Sequence, residues 1–159
     1  MSTAQDWPDL GGRIVGKTHI MGVRVYYEDT DFSGIVYHAN YLRFAERGRS
    51  DFLRLTGVNH TDLFQADEPL AFAIHRMEID FLRPARIDDR LEVHTRYVKA
   101  GGARLEAEQS IWLVGADGGL TEIWRAKVQA ACIDGQGRPR RLPAHARDAL
   151  ASYVDEATK

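Results

Sequence analysis

The sequence predicts an α+β fold in which about five antiparallel strands form one sheet around a single long central helix. Three observations favour this fold class. The segment Asn40–Leu55 has the apolar spacing of a helix, one strand-like segment precedes it, and four segments with alternating apolar residues follow it. Consecutive strands of this kind pair antiparallel, and a single long helix covers one face of the sheet that they form.

Length and composition restrict the class of protein. The 159 residues suit one domain, at roughly 100–200 residues per domain. With 21 basic and 23 acidic residues the net charge is −2, so no overall positive field calls for nucleic acid. A single cysteine excludes an internal disulfide, the histidines lack the spacing of metal ligands, and we expect neither a metal nor another cofactor.

The first residues of the chain carry little periodic pattern. Residues 1–17 include the pair Gly11 and Gly12, and we interpret them as a flexible N-terminal arm before a domain spanning 18–142. They lack the basic and apolar regions of a secretory signal, and no apolar run reaches the about 18 residues of a membrane helix. We therefore expect a cytoplasmic protein without a membrane span. Residues 18–27, rich in β-branched and aromatic side chains, predict the first strand.

The helix has the clearest pattern in the chain. Asn40 is its predicted N-cap, and Gly57 is predicted to end it. Gly48 lies on the apolar face, where a glycine costs about 1 kcal/mol, so we expect the helix to approach another backbone closely there. The residues of that face recur with the helical period and are Tyr41, Phe44, Ala45, Gly48, Phe52 and Leu55.

Period-2 patterns predict the remaining strands at 71–82, 90–98, Arg104–Val114 and Leu120–Ile133. The C-terminal segment 143–159 is predicted to contain a helix over 143–154. One helix leaves the second face of the sheet uncovered. Because strand faces carry Trp112 and Trp124, we expect a second subunit to bury part of that surface.

The densest group of chemically active side chains lies where the first strand leads into the helix. It comprises Glu28, Asp29, Asp31, His38 and Asn40. The N-terminal end of a helix has unpaired N–H groups and a partial positive charge that can polarise a carbonyl. A carboxylate seven residues earlier could attack that carbonyl or activate water. The alternative is a solvated acidic loop in which Asp31 or Asn40 only caps the helix.

A resemblance to a known family covers about 23–142. The stretch "VRVYYEDTDFSGIVYHANYLRFAERGR" and the later "MEIDFLRPARIDDRLEV", residues 77–93, closely resemble the signature of hot-dog-fold acyl-CoA thioesterases. Within that fold the pattern is similar to the 4-hydroxybenzoyl-CoA thioesterase-like family and its Tol-Pal-associated subgroup. The resemblance implies the hot-dog fold, a five-stranded antiparallel sheet wrapped around one long central helix.

The same resemblance implies roles for individual residues. Asp31 corresponds to the catalytic carboxylate, as general base or nucleophile. His38 corresponds to the residue at the helix start whose backbone N–H polarises the thioester carbonyl, with its side chain and Tyr27 also treated as catalytic. The family's active site lies between the subunits of a homodimer, and dimers often pair into a homotetramer.

A protein that binds coenzyme A needs cationic side chains for its phosphates, and arginine is well suited to bind them. The chain has 17 Arg against four Lys, an excess that codon bias also explains. The candidate residues for the CoA phosphates follow strands or flank turns and are Arg83, Arg86, Lys99 and Arg104.

The predicted function is therefore hydrolysis of an acyl-CoA thioester to a carboxylic acid and CoA. One alternative is a non-catalytic hot-dog module that binds acyl carrier protein or a cell-envelope partner, although an intact set of Tyr27, Asp31 and His38 argues against it. A second alternative is an enoyl-CoA hydratase. Hydratases of this fold space their Asp and His more closely than the six residues between Asp31 and His38.

Overall fold

The computed structural model describes residues 10–157 and contains one mixed sheet of seven strands. The strand order is β1-β2-β4-β5-β6-β3, and β7 pairs with β4. The strands are β1 (Arg13–Val15), β2 (Thr18–Arg24), β3 (Ala71–Phe81), β4 (Arg90–Gly101), β5 (Arg104–Val114), β6 (Leu120–Ile133) and β7 (Glu156–Ala157). The helices are α1 (Asn40–Leu55), α2 (His60–Phe64) and α3 (Ala144–Leu150).

The α+β class is confirmed, and the sheet is larger than predicted. The five predicted strands correspond to β2 through β6, while the short β1 and β7 extend the sheet to seven strands. Every pairing among the described strands is antiparallel except that of β7 with β4. β3 pairs only with β6, so an 11-residue strand ends the order without a partner on its outer side within residues 10–157.

Several element ends differ from the sequence prediction for local reasons. β2 ends at Arg24 because the chain turns into a 3₁₀ segment at Tyr27–Asp29. β4 runs on to Gly101, past a register shift between Tyr97 and Lys99. The predicted helix over 143–154 is shorter, since α3 ends at Leu150.

Part of the predicted N-terminal arm is ordered against the sheet. Arg13–Val15 pairs with β2, and the buried His19 ring has its Nε2 2.6 Å from the carbonyl oxygen of Gly11. Gly12 has φ +75°, and a Cβ there would lie 2.5 Å from the carbonyl oxygen of Ile20. Residues 11–15 are therefore held in place, and 16–17 form the turn between β1 and β2. Residues 1–9 of the predicted arm lie outside the described residues.

The apolar face of α1 forms the core, with one exception to the predicted stripe. Leu55 is 48% exposed and Leu53 is buried. The helix ends beside them: Gly57 adopts φ +93°, and the Val58 N–H donates to Leu53 O at 2.9 Å. The end at Gly57 is confirmed. No helix in the described part of the chain is long and apolar enough to cross a membrane.

The close approach predicted at Gly48 is observed, but the nearest neighbours are side chains of the sheet rather than another backbone. A Cβ at this position would lie 2.7 Å from Thr95 Oγ1 and 3.0 Å from Val93 Cγ1. The buried Gln109 side chain occupies the same region and donates from Nε2 to Ala45 O at 2.8 Å and to Thr95 Oγ1 at 2.9 Å. Its Oε1 accepts from Arg49 at 2.8 Å. Gln109 therefore joins α1 to the inner face of the sheet.

The expectation that both tryptophans report on a second subunit is wrong for Trp124. Its side chain is completely buried in its own subunit, stacked 6.3 Å from the Tyr41 ring. Trp124 lies on the helix-facing side of β6 because it is in phase with the other buried residues of that strand. Trp112 is only partly buried, and its indole N–H donates to Ser110 Oγ at 2.8 Å. Trp124 therefore says nothing about a second subunit.

Candidate active site

A tight loop returns the chain from β2 to the start of α1. After the 3₁₀ turn, Thr30 and Val36 form an isolated antiparallel bridge, and the Asp31 N–H donates to Ile35 O at 2.9 Å. Gly34 adopts φ +83° at the tip, where an L side chain would be strained. The loop thus brings Asp31 back towards the first turn of α1, as the sequence predicted.

Asp31 and His38 line the same cleft, whose volume is about 390 Å³. The remaining wall is mostly apolar and consists of Ile35, Val36, Tyr41, Phe81, Leu82, Arg83 and Pro84. The cleft is therefore an apolar hollow with a carboxylate and a helix start at its edge, which suits a substrate with an apolar group next to a reactive carbonyl.

The Asp31 carboxylate is held from one side only. Its Oδ1 accepts from the Ser33 backbone N–H at 2.8 Å and from Ser33 Oγ at 2.5 Å. These hydrogen bonds lower the pKa of Asp31 below its ordinary value, with smaller contributions from the Ile35 backbone N–H and then from the nearby His38. Oδ2 accepts no hydrogen bond from the described residues. The carboxylate is thus ionised at neutral pH and has one oxygen free for water or substrate.

His38 lies two residues before α1. Its ring contacts the Tyr37 ring, with centroids 4.6 Å apart, and the Phe81 ring, with centroids 6.4 Å apart. Within residues 10–157 its backbone N–H donates to no acceptor. An unpaired N–H at a helix start, next to an exposed carboxylate, is the arrangement that can hold a developing oxyanion.

Tyr27 is not brought into this cleft. Its side chain is 84% exposed, and its hydroxyl makes no hydrogen bond to Asp31 or to any other described residue. The 3₁₀ turn buries Asp29, while Tyr27 and Glu28 stay exposed.

The four candidate cations divide into two pairs. Arg83 lines the cleft, and Arg86 forms a bridge with the cleft residue Ile35. Lys99 and Arg104 lie beside the β4–β5 turn. The site end of β4 is at its first residue, so Lys99 lies roughly 30 Å farther along the strand. One chain therefore brings Arg83 and Arg86, but not Lys99 and Arg104, to the Asp31 cleft.

The sequence reasoning missed three contributors to the geometry. Ser33, which holds Asp31, is not among the predicted site residues. Asn40 is the first residue of α1, but its side chain does not cap the helix; Nδ2 donates to Asp29 Oδ1 at 2.6 Å. Asp29 is buried and also accepts from the Tyr26 N–H at 2.8 Å. Only the clustering of polar residues in 26–40 pointed to these contacts.

The apolar wall is fixed by aromatic packing. The Phe81 ring packs edge-on against the Tyr41 ring, 5.9 Å between centroids, and Trp124 lies behind both. The Ala85 N–H donates to the Tyr41 hydroxyl at 3.0 Å, and burial raises the pKa of this phenol. Tyr41 is therefore a neutral wall residue at physiological pH. In the described part of the chain, no three His, Cys, Asp or Glu side chains converge as a metal site.

Comparisons with known sequences all find thioesterases. The profile of the thioesterase superfamily matches residues 33–117. The acyl-CoA thioester hydrolase YbgC of Escherichia coli is 40% identical over 122 residues, which cover 76% of this chain and 87% of the relative. The acyl-CoA thioesterase YbgC of Haemophilus influenzae is 37% identical over 129 residues, covering 80% and 90% of the two chains.

Solved structures give the same result for the fold. A probable thioesterase from Bartonella henselae is 49% identical, with a TM-score of 0.73, and the match covers 79% of this chain and 99% of the other. A 4-hydroxybenzoyl-CoA thioesterase bound to 4-hydroxybenzoyl-CoA reaches a TM-score of 0.76 at 18% identity, covering 84% and 98% of the chains. The second likeness concerns the fold alone.

Proposed function

The chain belongs to the thioesterase superfamily and has its hot-dog fold, and we propose that it hydrolyses acyl-CoA thioesters at the cleft between Asp31 and His38. Family membership and relatives named as acyl-CoA thioester hydrolases carry the activity. The observation that carries the site is the pairing of a free carboxylate oxygen with an unpaired helix-start N–H in one cleft.

In this proposal the thioester carbonyl oxygen accepts a hydrogen bond from the His38 N–H, aided by the positive end of α1. Asp31 Oδ2 either removes a proton from water as the water attacks the carbonyl carbon, or attacks that carbon itself to form an anhydride that water then hydrolyses. In both routes the C–S bond breaks, the CoA thiolate takes up a proton, and the acyl group leaves as a carboxylic acid. Tyr27 enters through the family resemblance, and we assign it the smallest contribution.

We extend the proposal to the CoA phosphates. Arg83 and Arg86, exposed beside the cleft, are placed to contact them. Lys99 and Arg104 could serve a given cleft only from another subunit, since they lie at the far end of β4 in their own chain.

A homodimer, or a homotetramer made of two dimers, is the proposed working unit. An 11-residue edge strand whose outer side has no partner among residues 10–157 is an open template for pairing with a second copy. Exposed apolar side chains near the cleft point the same way, and they include Phe32, Tyr37, Phe81 and Leu82. The assignment to the Tol-Pal-associated subgroup rests on the sequence motif. The cytoplasmic location stays a prediction.

The test is hydrolysis of a panel of short-chain, long-chain and aromatic acyl-CoAs, measured by the release of the free CoA thiol. Asp31→Asn should lower kcat/KM on the best substrate by about 10²–10⁴-fold. Asp148→Asn, a change at an exposed carboxylate in α3, is the matched control and should behave as wild type. Full activity of Asp31→Asn would overturn the assignment of this residue.

The same panel separates the alternatives. Conversion of crotonyl-CoA to a hydroxyacyl product would identify a hydratase. Capture of acyl carrier protein, with no turnover of any thioester, would identify a non-catalytic binding module. Turnover of an acyl carrier protein thioester would add that protein as a partner.

A further inference from the structure

A buried carboxylate–amide pair lies beneath the catalytic loop. Asp29 is 6% exposed, and so is Asn40. One carboxylate oxygen of Asp29 accepts from Asn40 Nδ2 at 2.6 Å, and the other accepts from the Tyr26 N–H at 2.8 Å. Hydrogen bonds to a buried carboxylate are strong, and removing one partner is costly. We call Asp29 and Asn40 the clamp.

The clamp connects the two sides of the loop that carries the reacting groups. Asp29 lies two residues before Asp31, and Asn40 lies two residues after His38. Backbone hydrogen bonds reinforce the connection, because the Tyr37 N–H donates to Asp29 O at 2.9 Å and the Asn40 N–H donates to Tyr37 O at 2.8 Å. The chain on both sides of the reacting groups is therefore fixed at one buried point.

We propose that Asp29 and Asn40 are positioning residues, which set the distance and direction of the Asp31 carboxylate relative to the His38 N–H. This inference rests on the proposed function. Neither clamp residue lines the cleft, so they act through Asp31 and His38 rather than on substrate. A displacement of about 1 Å between reacting groups can cost about 10²-fold in rate, so a small shift of the loop is enough to matter.

The chemistry of the pair allows an exchange experiment. Asp29 presents a separate oxygen to each donor. In Asp29→Asn one of these oxygens becomes an amide nitrogen, so either the Tyr26 N–H or the Asn40 amide faces an N–H group instead of an acceptor. In Asn40→Asp, two carboxylates face each other at contact distance. The exchange variant combines Asp29→Asn with Asn40→Asp. The amide introduced at position 29 then accepts from the Tyr26 N–H through its oxygen and donates through its nitrogen to the carboxylate introduced at position 40, so every hydrogen bond is restored.

We expect each single variant to lower kcat by about 10–100-fold with a change in KM below about threefold, since the acyl and CoA contacts are untouched. Asn40→Asp should regain part of its kcat as the pH falls from about 8 to about 5, because one of the facing carboxyl groups then protonates and donates to the other. The exchange variant should recover most of the lost kcat.

A matched control is present in the same chain. Asn59 and Asp62 form an exposed amide–carboxylate pair at the start of α2, with Nδ2 and Oδ2 2.8 Å apart. Asn59→Asp and Asp62→Asn place the same chemical changes away from the cleft. They should leave kcat and its pH profile unchanged.

A second readout requires no turnover. The Asp31 carboxyl can be titrated by carbon NMR in wild type and in Asn40→Ala, a change that breaks the clamp without altering its charge. If the clamp holds Asp31 near His38, the midpoint should rise in Asn40→Ala, because the contribution by which His38 lowers the pKa of Asp31 is reduced. An unchanged midpoint and an unchanged kcat in Asn40→Ala, accompanied only by a lower Tm, would show a purely structural pair. Absence of thioesterase activity in wild type would refute the proposed function, and the titration would still decide the clamp.

Discussion

Asp29 and Asp31 stand two residues apart in one loop and have opposite environments. Asp29 is buried with both oxygens engaged by Tyr26 and Asn40, whereas Asp31 is exposed with one oxygen free of described partners. The free oxygen makes Asp31 available for chemistry, and the engaged oxygens make Asp29 a structural anchor. Backbone direction, here set by a 3₁₀ turn, therefore divides two identical side chains between the two tasks.

The largest expected effect is a difference in the free energy of unfolding between variants of Asp29 and Asp31. Asp29→Ala leaves a buried N–H and a buried amide without partners, so we expect a loss of about 2–4 kcal/mol in the free energy of unfolding. Asp31→Ala removes an exposed group and should leave unfolding unchanged while abolishing most of the activity. Urea denaturation and kcat/KM on the same samples measure both. Equal stability losses in the two variants would contradict this division of tasks.

A destabilising substitution in the middle of α1 tests whether lower stability alone reduces activity. Gly48→Ala places a Cβ 2.7 Å from Thr95 Oγ1. Overpacking costs are partly offset by the better helix propensity of alanine, so the expected net loss is about 1–2 kcal/mol. The folded fraction should keep its kcat, measured well below the Tm. A kcat loss matching that of Asp29→Asn would show that destabilisation, rather than positioning, explains the clamp variants.

Removing the Ser33 hydroxyl should change the pH profile rather than the maximum rate. The Ser33 side chain is the main cause that lowers the pKa of Asp31. In the proposed mechanism Asp31 acts when ionised, so activity is lost as pH falls through its pKa. In Ser33→Ala that pKa rises, and the acidic limb of the kcat/KM profile should move to higher pH. A limb that stays in place or moves to lower pH would contradict the role of this hydrogen bond.

The smallest effect is expected at Tyr27. Its hydroxyl is exposed and engages neither Asp31 nor His38. Tyr27→Phe should therefore change kcat/KM by no more than about threefold, the size of an ordinary surface substitution. Steady-state assays at several enzyme concentrations would check this result. A loss approaching that of Asp31→Asn would mean that substrate or a second subunit brings the hydroxyl to the reaction.

The sequence predicted the fold well wherever periodicity was strong. The predicted bounds of α1, β5 and β6 agree with the structure. The amphipathic helix also predicted the role of Gly48, because a glycine on the apolar face of a helix leaves room for a neighbouring strand to come close. Within the site, the tight turn and the common cleft of Asp31 and His38 agree with one of the two alternatives that the residues left open, the one favoured by the family resemblance.

The differences arise where contacts are distant or depend on side-chain direction. The pairing of β3 with β6 joins strands far apart in sequence, and no local pattern encodes it. Asn40 has the residue type of an N-cap, but the buried Asp29 competes successfully for its amide. Trp124 alternates in phase with small buried residues, and only the packing of Tyr41 shows which face is inside.

Gln109 has a consequence for how uniquely the chain folds. Apolar contacts alone would tolerate several rotations of α1 about its axis, since leucine-like surfaces slide over one another at little cost. The hydrogen bonds of the Gln109 amide are compatible with only one of these rotations, because the amide must contact Ala45 O, Thr95 Oγ1 and the Arg49 guanidinium at the same time. The buried amide therefore fixes the rotation of α1 about its axis. The orientation of the helix start near His38 is set some two helical turns away, inside the core.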